Sequence, residues 1–269
     1  MTGGRAGPDE EGRRDIDGSE AAHWAATIRR ARAERRTIDP ISAHSGLTLS
    51  DAYAVQRAGT AMRLAAGERI VGWKLGYTSL AMREQMRVTQ PNFGPLTDAM
   101  LLATGSRLGP QVLQPRVEPE IAVRLAGTLP GCPDRDAVAA AVGESSACLE
   151  VVDSVYTDYR FTLEDNTADG SSAAFVVLGP PLADGVALDE VRVRLLSNGV
   201  EVDSATGAAA SGHPLGGVVW LAAQLATRGQ VLEAGDVIIT GGLTRAVPLA
   251  VGGEIRAVFS DDRVVSIHR

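Results

Sequence analysis

Apolar residues recur at helical spacing in two segments near the start of the chain. Residues 19–36 (SEAAHWAATIRRARAERR) combine this spacing with a serine start and a high content of alanine and arginine. Residues 48–68 (TLSDAYAVQRAGTAMRLAAGE) repeat the pattern, with Thr48 or Ser50 as the N-cap and Gly67 at the end. The pattern therefore predicts two helices.

From residue 69 onward, short apolar runs replace the helical spacing, and most of them are typical of strands. The strand candidates are RIVGWKLGYTS (69–79), VEPEIAVRL (117–125), ACLEVVDSVY (147–156), AAFVVLG (173–179), VRVRLLSNGVEVDSAT (191–206), VIITGG (237–242) and GEIRAVFSDDRVVSIH (253–268). Asn198 and Gly199 mark a tight hairpin turn. Further helices are predicted over residues 80–88 and 214–229, the latter with Pro214 near its start. Runs of strands with few helices predict an α+β fold rather than alternating βαβ units.

Composition divides the chain into three parts. Residues 1–18 are mostly glycine and charged residues, with little to bury, and are predicted to form a disordered tail. Residues 19–68 are predicted to form an N-terminal helical region, and residues 69–269 are predicted to form a β-rich domain that carries the candidate site residues described below.

The charge balance narrows the classes of partner. The 269 residues carry a formal net charge of −7, and the pI is near 5.2. These values disfavour binding to nucleic acid or to an anionic membrane surface. No apolar run reaches the ~18 residues of a membrane span, and the N-terminus lacks the apolar segment of a signal peptide, so a cytoplasmic protein is expected. Cys132 and Cys148 are too few for a disulfide framework and fit free thiols.

Three glutamates stand in runs that otherwise read as strands. Glu118 and Glu120 are two residues apart, so their side chains point to the same face. Glu150 lies in a second apolar run. Carboxylates rarely enter a core unless they are paired or bind a metal, and oxygen donors without histidine or cysteine suit Mg²⁺ or Mn²⁺. The alternative from the pattern alone is the wet face of an antiparallel sheet. Pro119 between the first two glutamates predicts an edge position or a bulge.

Lys74 lies in an apolar, glycine-flanked strand. Such a lysine either exchanges protons or binds a substrate carboxylate, or it extends its ammonium to solvent from a strand edge. His213 precedes the predicted helix over 214–229 and is more typical of a structural role.

Two turn-rich segments adjoin apolar strands. In residues 165–179 the polar side chains of Asp169, Ser171 and Ser172 either line a site or form a hairpin loop. In residues 239–249 paired glycines follow a strand, where the backbone either approaches a ligand closely or only turns.

Taken together, these stretches resemble the 2-keto-4-pentenoate hydratase / 4-oxalocrotonate decarboxylase family, within the fumarylacetoacetate hydrolase-like superfamily. The resemblance runs from about residue 45 to residue 267. It is carried by GWKLGYTSLAMREQM, QPNFGPLTDAM, QPRVEPEIAVRLAGTLPG, LEVVDSVYTDYRFTLEDNTADGSSAAFVVLG, GHPLGGVVWLAAQLATRG and LEAGDVIITGGLTRAVPL. It implies a fumarylacetoacetate hydrolase-like mixed β-roll body with an N-terminal helical region, assembled as a homo-oligomer.

The resemblance also implies roles for individual residues. The metal ligands are Glu118, Glu120 and Glu150, holding Mg²⁺ or Mn²⁺. The active-site lysine is Lys74. The loop beside the substrate contributes Asp169, Ser171 and Ser172, of which the first two are the further catalytic candidates. A turn that faces the substrate carboxylate consists of Gly241, Gly242, Leu243 and Thr244.

The implied activity is that of a divalent-metal-dependent lyase acting on a small 2-oxo acid. The favoured reaction is hydration of a 2-hydroxy-2,4-dienoate. Decarboxylation of a 4-oxalocrotonate-like diacid is the alternative, and it requires a basic residue for the second carboxylate, with Arg160 or Arg245 as candidates. A scaffold recruited to a biosynthetic pathway and a non-enzymatic role are the remaining readings. Asn92 and Gly170 depart from the family pattern, and an asparagine in place of an acid cannot shuttle a proton.

Overall fold

The computed structural model of the protein describes residues 15–80, 83–84 and 87–269. Residues 1–14 of the predicted tail lie outside this description, so the tail stays a prediction there. Of the helix predicted over residues 80–88, Leu80, Arg83 and Glu84 are helical, and residues 81–82 and 85–86 lie outside the described residues.

Two helices open the described chain, as the pattern predicted. α1 spans Gly18–Ala33 and is capped by Asp17, whose side chain accepts from two backbone N–H groups, rather than by Ser19. α2 spans Leu49–Ala65. Thr48 caps it in a reciprocal capping box, and this confirms the first of the two predicted caps.

The small apolar residues of these helices form a core of their own. The buried members of this core include Ala21, Ala25, Ile28, Ala31, Ile41, Ala52, Val55, Val155 and Tyr156. Because Val155 and Tyr156 belong to the segment that follows a sheet strand, the helical region packs directly on the body that carries the glutamates.

The strands form two sheets. Their bounds are β1 Ile70–Gly76, β2 Asn92–Thr97, β3 Leu101–Ala103, β4 Ser106–Arg107, β5 Arg116–Leu125, β6 Val142–Val152, β7 Ala173–Pro181, β8 Arg192–Ser197, β9 Val200–Thr206, β10 Val237–Ile239, β11 Val247–Pro248, β12 Glu254–Phe259 and β13 Arg263–His268. The larger sheet has the order β2-β1-β10-β5-β6-β7-β3, with β11 paired to β5, and the smaller one has the order β4-β13-β12-β8-β9. Mixed sheets with helices outside an alternating order confirm the predicted α+β class.

Besides the partly described helix that includes Leu80, Arg83 and Glu84, the described residues form three further α-helices among the strands: α3 Arg135–Ala141, α4 Leu163–Ala168 and α5 Pro214–Ala226. α5 was predicted, and the His213 Nδ1 atom accepts from the Leu215 N–H at its start, so this histidine acts as a helix cap. α3 and α4 were not predicted. The first part of the segment read as a loop, residues 165–168, is instead the end of α4.

Pro119 lies where the sheet opens beside β5. β10 pairs with residues 122–124 and β11 with residues 116–117, so neither strand covers Pro119 on that side. The Pro119 carbonyl there accepts from the Leu243 N–H at 2.9 Å, and a loop replaces a strand. The predicted edge position is therefore confined to one side of β5 at Pro119. A proline, which has no N–H to donate, lies where neither β10 nor β11 pairs with β5.

None of the helices in the described ranges combines the length and the apolar character that a membrane span needs.

Candidate active site

Three carboxylates meet at the opening beside β5. Glu118 on β5 lies directly opposite Glu150 on β6, and Glu120 is two residues further along the same face of β5. One carboxylate oxygen from each residue lies within 4.8 Å of the others. Strand alternation places Glu118 and Glu120 on one face of β5, and the antiparallel register of β5 and β6 brings Glu150 next to them.

Some carboxylate oxygens of this cluster have no hydrogen-bond donor among the described residues. Glu120 Oε2 accepts from the Gly241 N–H at 2.6 Å. Glu120 Oε1 and Glu150 Oε2 are buried without a hydrogen-bond donor among the described residues. Buried anionic oxygens that converge without donors are the environment of a bound cation. The donor set, oxygen only, fits Mg²⁺ or Mn²⁺.

Burial and mutual repulsion change the protonation of the cluster. Burial and the neighbouring charge of Glu150 raise the pKa of Glu118 to about 8, against the opposing effect of Lys74. Burial, together with the charges of Glu150 and Glu118, raises the pKa of Glu120 well above its usual value. Without a cation, the cluster therefore holds protons at neutral pH.

Lys74 lies within the cluster and not at a strand edge in solvent. Its Nζ atom is 2.8 Å from Glu150 Oε1 and donates to the Ser171 carbonyl at 2.8 Å. Burial alone would lower the pKa of Lys74, but the charges of Glu150, Glu118 and Glu120 outweigh it and raise that pKa. The lysine is therefore a buried ammonium held against the carboxylates.

A cavity of about 290 Å³ opens on the cluster. Lys74, Glu118, Ser171, Ser172, Gly242 and Arg245 line it, so six of the residues singled out in the sequence meet at one cavity. The other lining residues are Leu75, Gly76, Tyr77, Thr78, Ser79, Arg116, Val152, Tyr159, Phe161, Asn166 and Ala246.

Asn92 anchors the polar wall of the cavity from behind. It is completely buried and donates to Asn166 Oδ1 and Thr167 Oγ1, both at 2.9 Å. Its own Oδ1 accepts from the Ser171 hydroxyl at 2.9 Å. An asparagine is both donor and acceptor here, and an ionised acid would have no hydrogen to give. The departure at this position thus has a structural reason.

Ser171 and Ser172 both adopt left-handed backbone angles, with φ of 59° and 54°. Such angles are uncommon for residues other than glycine and cost free energy unless the surroundings hold them. Ser172 Oγ accepts from the Asn166 amide at 2.9 Å, and the Ser171 carbonyl accepts from Lys74. The strained turn therefore presents two hydroxyls and a carbonyl to the cavity in a fixed arrangement.

The glycine turn closes against the glutamates. Gly241 has a φ of 106°, which is outside the range that other residues usually adopt, and its N–H binds Glu120. A β-carbon on Gly242 would overlap the Glu118 carboxylate. The segment was predicted either to approach a ligand closely or only to turn, and its backbone lies against the Glu118 and Glu120 carboxylates.

Leu243 and Thr244 contribute differently from the two glycines. Leu243 packs into the main apolar core, and Thr244 Oγ1 donates to the Arg245 carbonyl. Neither side chain lines the cavity.

Two further candidates lie apart from the cavity. Asp169 faces the helical region, where it accepts from Arg32 at 2.7 Å and from the Val155 N–H at 3.1 Å, because the chain reverses between it and Ser171. Its environment is that of a buried structural ion pair. Arg160 is exposed and outside the cavity lining, since it follows a short turn that directs it to solvent.

The cavity also contains residues that the sequence reading missed. Arg116 lies two residues before Glu118 on the same face of β5, and Tyr159 packs against it. The alternation that linked Glu118 to Glu120 extends to Arg116, and this signal was available in the sequence.

Sequence comparisons relate this chain to known proteins. The family model described as fumarylacetoacetate (FAA) hydrolase C-terminal matches residues 69–264. The chain is 35% identical over 240 residues to a 2-hydroxyhexa-2,4-dienoate hydratase of Comamonas testosteroni, covering 86% of this chain and 90% of that protein. It is 36% identical over 246 residues to a 2-keto-4-pentenoate hydratase of Burkholderia vietnamiensis, covering 90% and 94%.

A solved structure shares nearly the whole fold. The 4-oxalocrotonate decarboxylase of Pseudomonas putida G7, complexed with magnesium and adipate, matches with a TM-score of 0.90 at 32% identity. The match covers 95% of this chain and 99% of that chain. The similarity therefore includes both the N-terminal helical region and the β-rich body.

Proposed function

The chain belongs to the fumarylacetoacetate hydrolase family, and from that premise we propose that it is a divalent-metal-dependent lyase that hydrates a small 2-hydroxy-2,4-dienoate. The observation that carries the proposal is the convergence of Glu118, Glu120 and Glu150 beside Lys74, at a cavity that Glu118 and Lys74 line.

The three glutamates would hold Mg²⁺ or Mn²⁺. A bound divalent cation supplies Lewis-acid stabilisation of the negative charge that develops on the 2-oxygen of a 2-oxo acid. The N–H of Gly241 fixes the Glu120 carboxylate, and Glu150 is fixed by Lys74. The ligands are thus positioned by the protein and not by the cation alone.

Lys74 holds a proton at Nζ. An ammonium has three hydrogens to donate, and two are engaged by Glu150 and the Ser171 carbonyl, which leaves one for a substrate. The surrounding carboxylates raise the pKa of Lys74 and so keep it protonated. When the 2-hydroxydienoate converts to the conjugated ketone, Nζ would give one proton to the terminal carbon, and the proton lost from the 2-hydroxyl group would restore the ammonium.

The serine wall would position the water that adds across the double bond. Ser171 and Ser172 line the same cavity as Glu118, and Asn92 and Asn166 fix their hydroxyl groups. A water held by these hydroxyl groups would be close to Lys74, which binds the Ser171 carbonyl.

Decarboxylation of a diacid is the second candidate function. It is favoured by the match over 95% of the chain to a decarboxylase complexed with adipate, which is itself a diacid. The same glutamates and the same lysine would serve, because loss of CO₂ also places negative charge on the 2-oxygen.

One assay separates the two functions. The protein is given 2-hydroxypenta-2,4-dienoate or 2-oxohex-3-enedioate, with Mg²⁺ or after chelation, while the ultraviolet bands and CO₂ are followed. Metal-dependent loss of the dienoate without CO₂ supports hydration, whereas CO₂ from the diacid supports decarboxylation. Turnover of neither compound would contradict both.

Two variants connect the assay to the site. Glu118→Gln removes one ligand charge, and we expect metal-dependent turnover to be lost. Glu144→Gln, an exposed glutamate on the adjacent strand β6, is the matched control and should behave as the wild type. Full activity of Glu118→Gln after chelation would refute the metal-site assignment.

The family resemblance further supports a homo-oligomer that works in the cytoplasm. Light scattering of the purified protein tests the first part, and cell fractionation tests the second. A monomer, or a protein recovered outside the cytoplasm, would contradict the respective part.

A further inference from the structure

Arg116 and the metal cluster share one face of strand β5. Arg116 is two residues before Glu118, and a strand rises about 3.4 Å per residue, so their Cα atoms are about 7 Å apart. Both residues line the same cavity. The cavity therefore has a carboxylate end, formed by Glu118 and its partners, and a cationic end.

Contacts within the protein hold Arg116 in place at the cationic end. The Arg116 guanidinium lies over the Tyr159 ring, with its central carbon 4.1 Å from the ring centroid. The Tyr159 hydroxyl is fixed in turn, 2.9 Å from the Val152 carbonyl and 3.0 Å from the Gln114 carbonyl. A guanidinium stacked by its face keeps its edge free for two parallel hydrogen bonds to a carboxylate.

Arg116 has no anionic partner of its own. It is half-buried, yet no carboxylate oxygen within the described ranges lies within 4.0 Å of its guanidinium nitrogens. A half-buried cation without a counter-ion is costly unless a ligand supplies one.

The other arginine at the cavity, Arg245, differs in both respects. The side chain of Arg245 is 78% exposed, and its Nε atom is 3.8 Å from Asp203, so solvent and a carboxylate already satisfy it. Among the cavity-lining arginines, Arg116 is therefore the better binding group.

We propose that Arg116, stacked on Tyr159, binds the far carboxylate of a dicarboxylic 2-oxo acid whose 2-oxo end lies at the glutamate cluster. This inference rests on the proposed metal-dependent lyase function, and it selects the diacid of the second candidate function as the substrate class. Five carbon–carbon bonds of about 1.5 Å in extended form separate the end carbons of a six-carbon diacid by about 6 Å. This length matches the strand spacing between Arg116 and Glu118. Val152 and Phe161 line the same cavity and supply apolar contacts for the carbon chain.

The test compares two unreactive acids that differ only at the far end. 2-Oxohexanedioate and 2-oxohexanoate are titrated calorimetrically into the Mn²⁺-loaded protein. We expect the diacid to bind roughly 10- to 100-fold more tightly, the range that a charge-assisted hydrogen-bonded pair provides. Arg116→Met should abolish this ratio while the affinity for 2-oxohexanoate stays the same, which also shows that the variant is folded. Arg116→Lys should keep part of the ratio.

Arg124→Met is the matched control. Arg124 is an exposed arginine at the other end of β5, and its loss should leave the ratio unchanged. Equal binding of the two acids by the wild type would overturn the role of Arg116 and leave the 2-oxo acid site intact. So would equal weakening of both acids by Arg116→Met. Failure of both acids to bind the wild type would overturn the proposed function as well.

Discussion

Binding of a divalent cation at Glu118, Glu120 and Glu150 should release protons at neutral pH. The perturbation is the addition of Mn²⁺ to metal-free protein. Two ionised carboxylates 4.8 Å apart repel each other by about 3.5 kcal/mol at an effective dielectric constant of 20, and the cluster contains three. Lys74 offsets only one of the three charges. Protons therefore remain on the cluster until a cation replaces them.

The number of released protons follows from the pKa values. With the pKa of Glu118 raised to about 8, this carboxyl is about nine-tenths protonated at pH 7. Glu120, whose pKa is raised further still, adds up to one more. Because the sites interact, the protons belong to the cluster as a whole. We expect between about one and two protons per ion at pH 7.

Calorimetry measures this number directly. Mn²⁺ is titrated into the protein in buffers of different ionisation enthalpy, and the slope of the observed heat against that enthalpy gives the protons released. Glu118→Gln should release about one proton fewer, and Glu144→Gln should match the wild type. A slope of zero with bound metal would mean that the carboxylates were already ionised, and it would refute the reasoning.

The sign of the pH dependence follows from the same linkage. Both folded-state pKa values are above the usual value of 4.5, so the metal-free protein is most stable at low pH with respect to this cluster. That contribution is lost as the pH rises from about 4.5 toward about 8. Metal affinity has the opposite trend and increases over the same range. Urea unfolding at pH 6 and pH 8, with and without Mn²⁺, measures both trends.

The remaining predictions concern single side chains around the site. Asn92→Asp removes two buried donors, including the one to Thr167, and should lower the free energy of unfolding by about 1–3 kcal/mol in urea; an unchanged midpoint would contradict the network. Arg32→Met leaves Asp169 buried without its cation and should cost about 3 kcal/mol in the same assay, with Asp169→Asn restoring part of the loss; equal stability of the single variant and the wild type would contradict a structural pair. Lys74→Met should reduce kcat by about 10²- to 10⁴-fold with Mn²⁺ affinity retained or increased; wild-type turnover would exclude an acid role.

Local patterning was sufficient to predict most elements of this fold. Both N-terminal helices, the helix starting at Pro214 and the hairpin at Asn198 and Gly199 all occur, because their caps and turn residues act within a few positions. α4 was missed because Leu163 is the only large apolar residue among its six residues, so the segment shows no helical periodicity. Its stability comes from Thr162 and Asp165, which cap it reciprocally.

The candidate site was predictable in part. Glu118 and Glu120 follow from strand alternation, whereas their meeting with Glu150 depends on a register between strands that no local pattern encodes. Asp169 and Ser171 are only two residues apart in the sequence, but the left-handed turn that begins at Gly170 directs Asp169 toward Arg32 and away from the cavity. Strand alternation also places Arg116 on the face of Glu118, but its contact with Tyr159, which is more than 40 positions away in the chain, could not be predicted from a local pattern.

The metal centre is tested most directly by crystals grown with Mn²⁺ and measured for anomalous scattering. The account predicts one strong peak between β5 and β6, about 2.0–2.2 Å from carboxylate oxygens of Glu118, Glu120 and Glu150, and no such peak in Glu118→Gln. A map without density at the three glutamates, in crystals that contain Mn²⁺ elsewhere on the protein, would contradict the central claim.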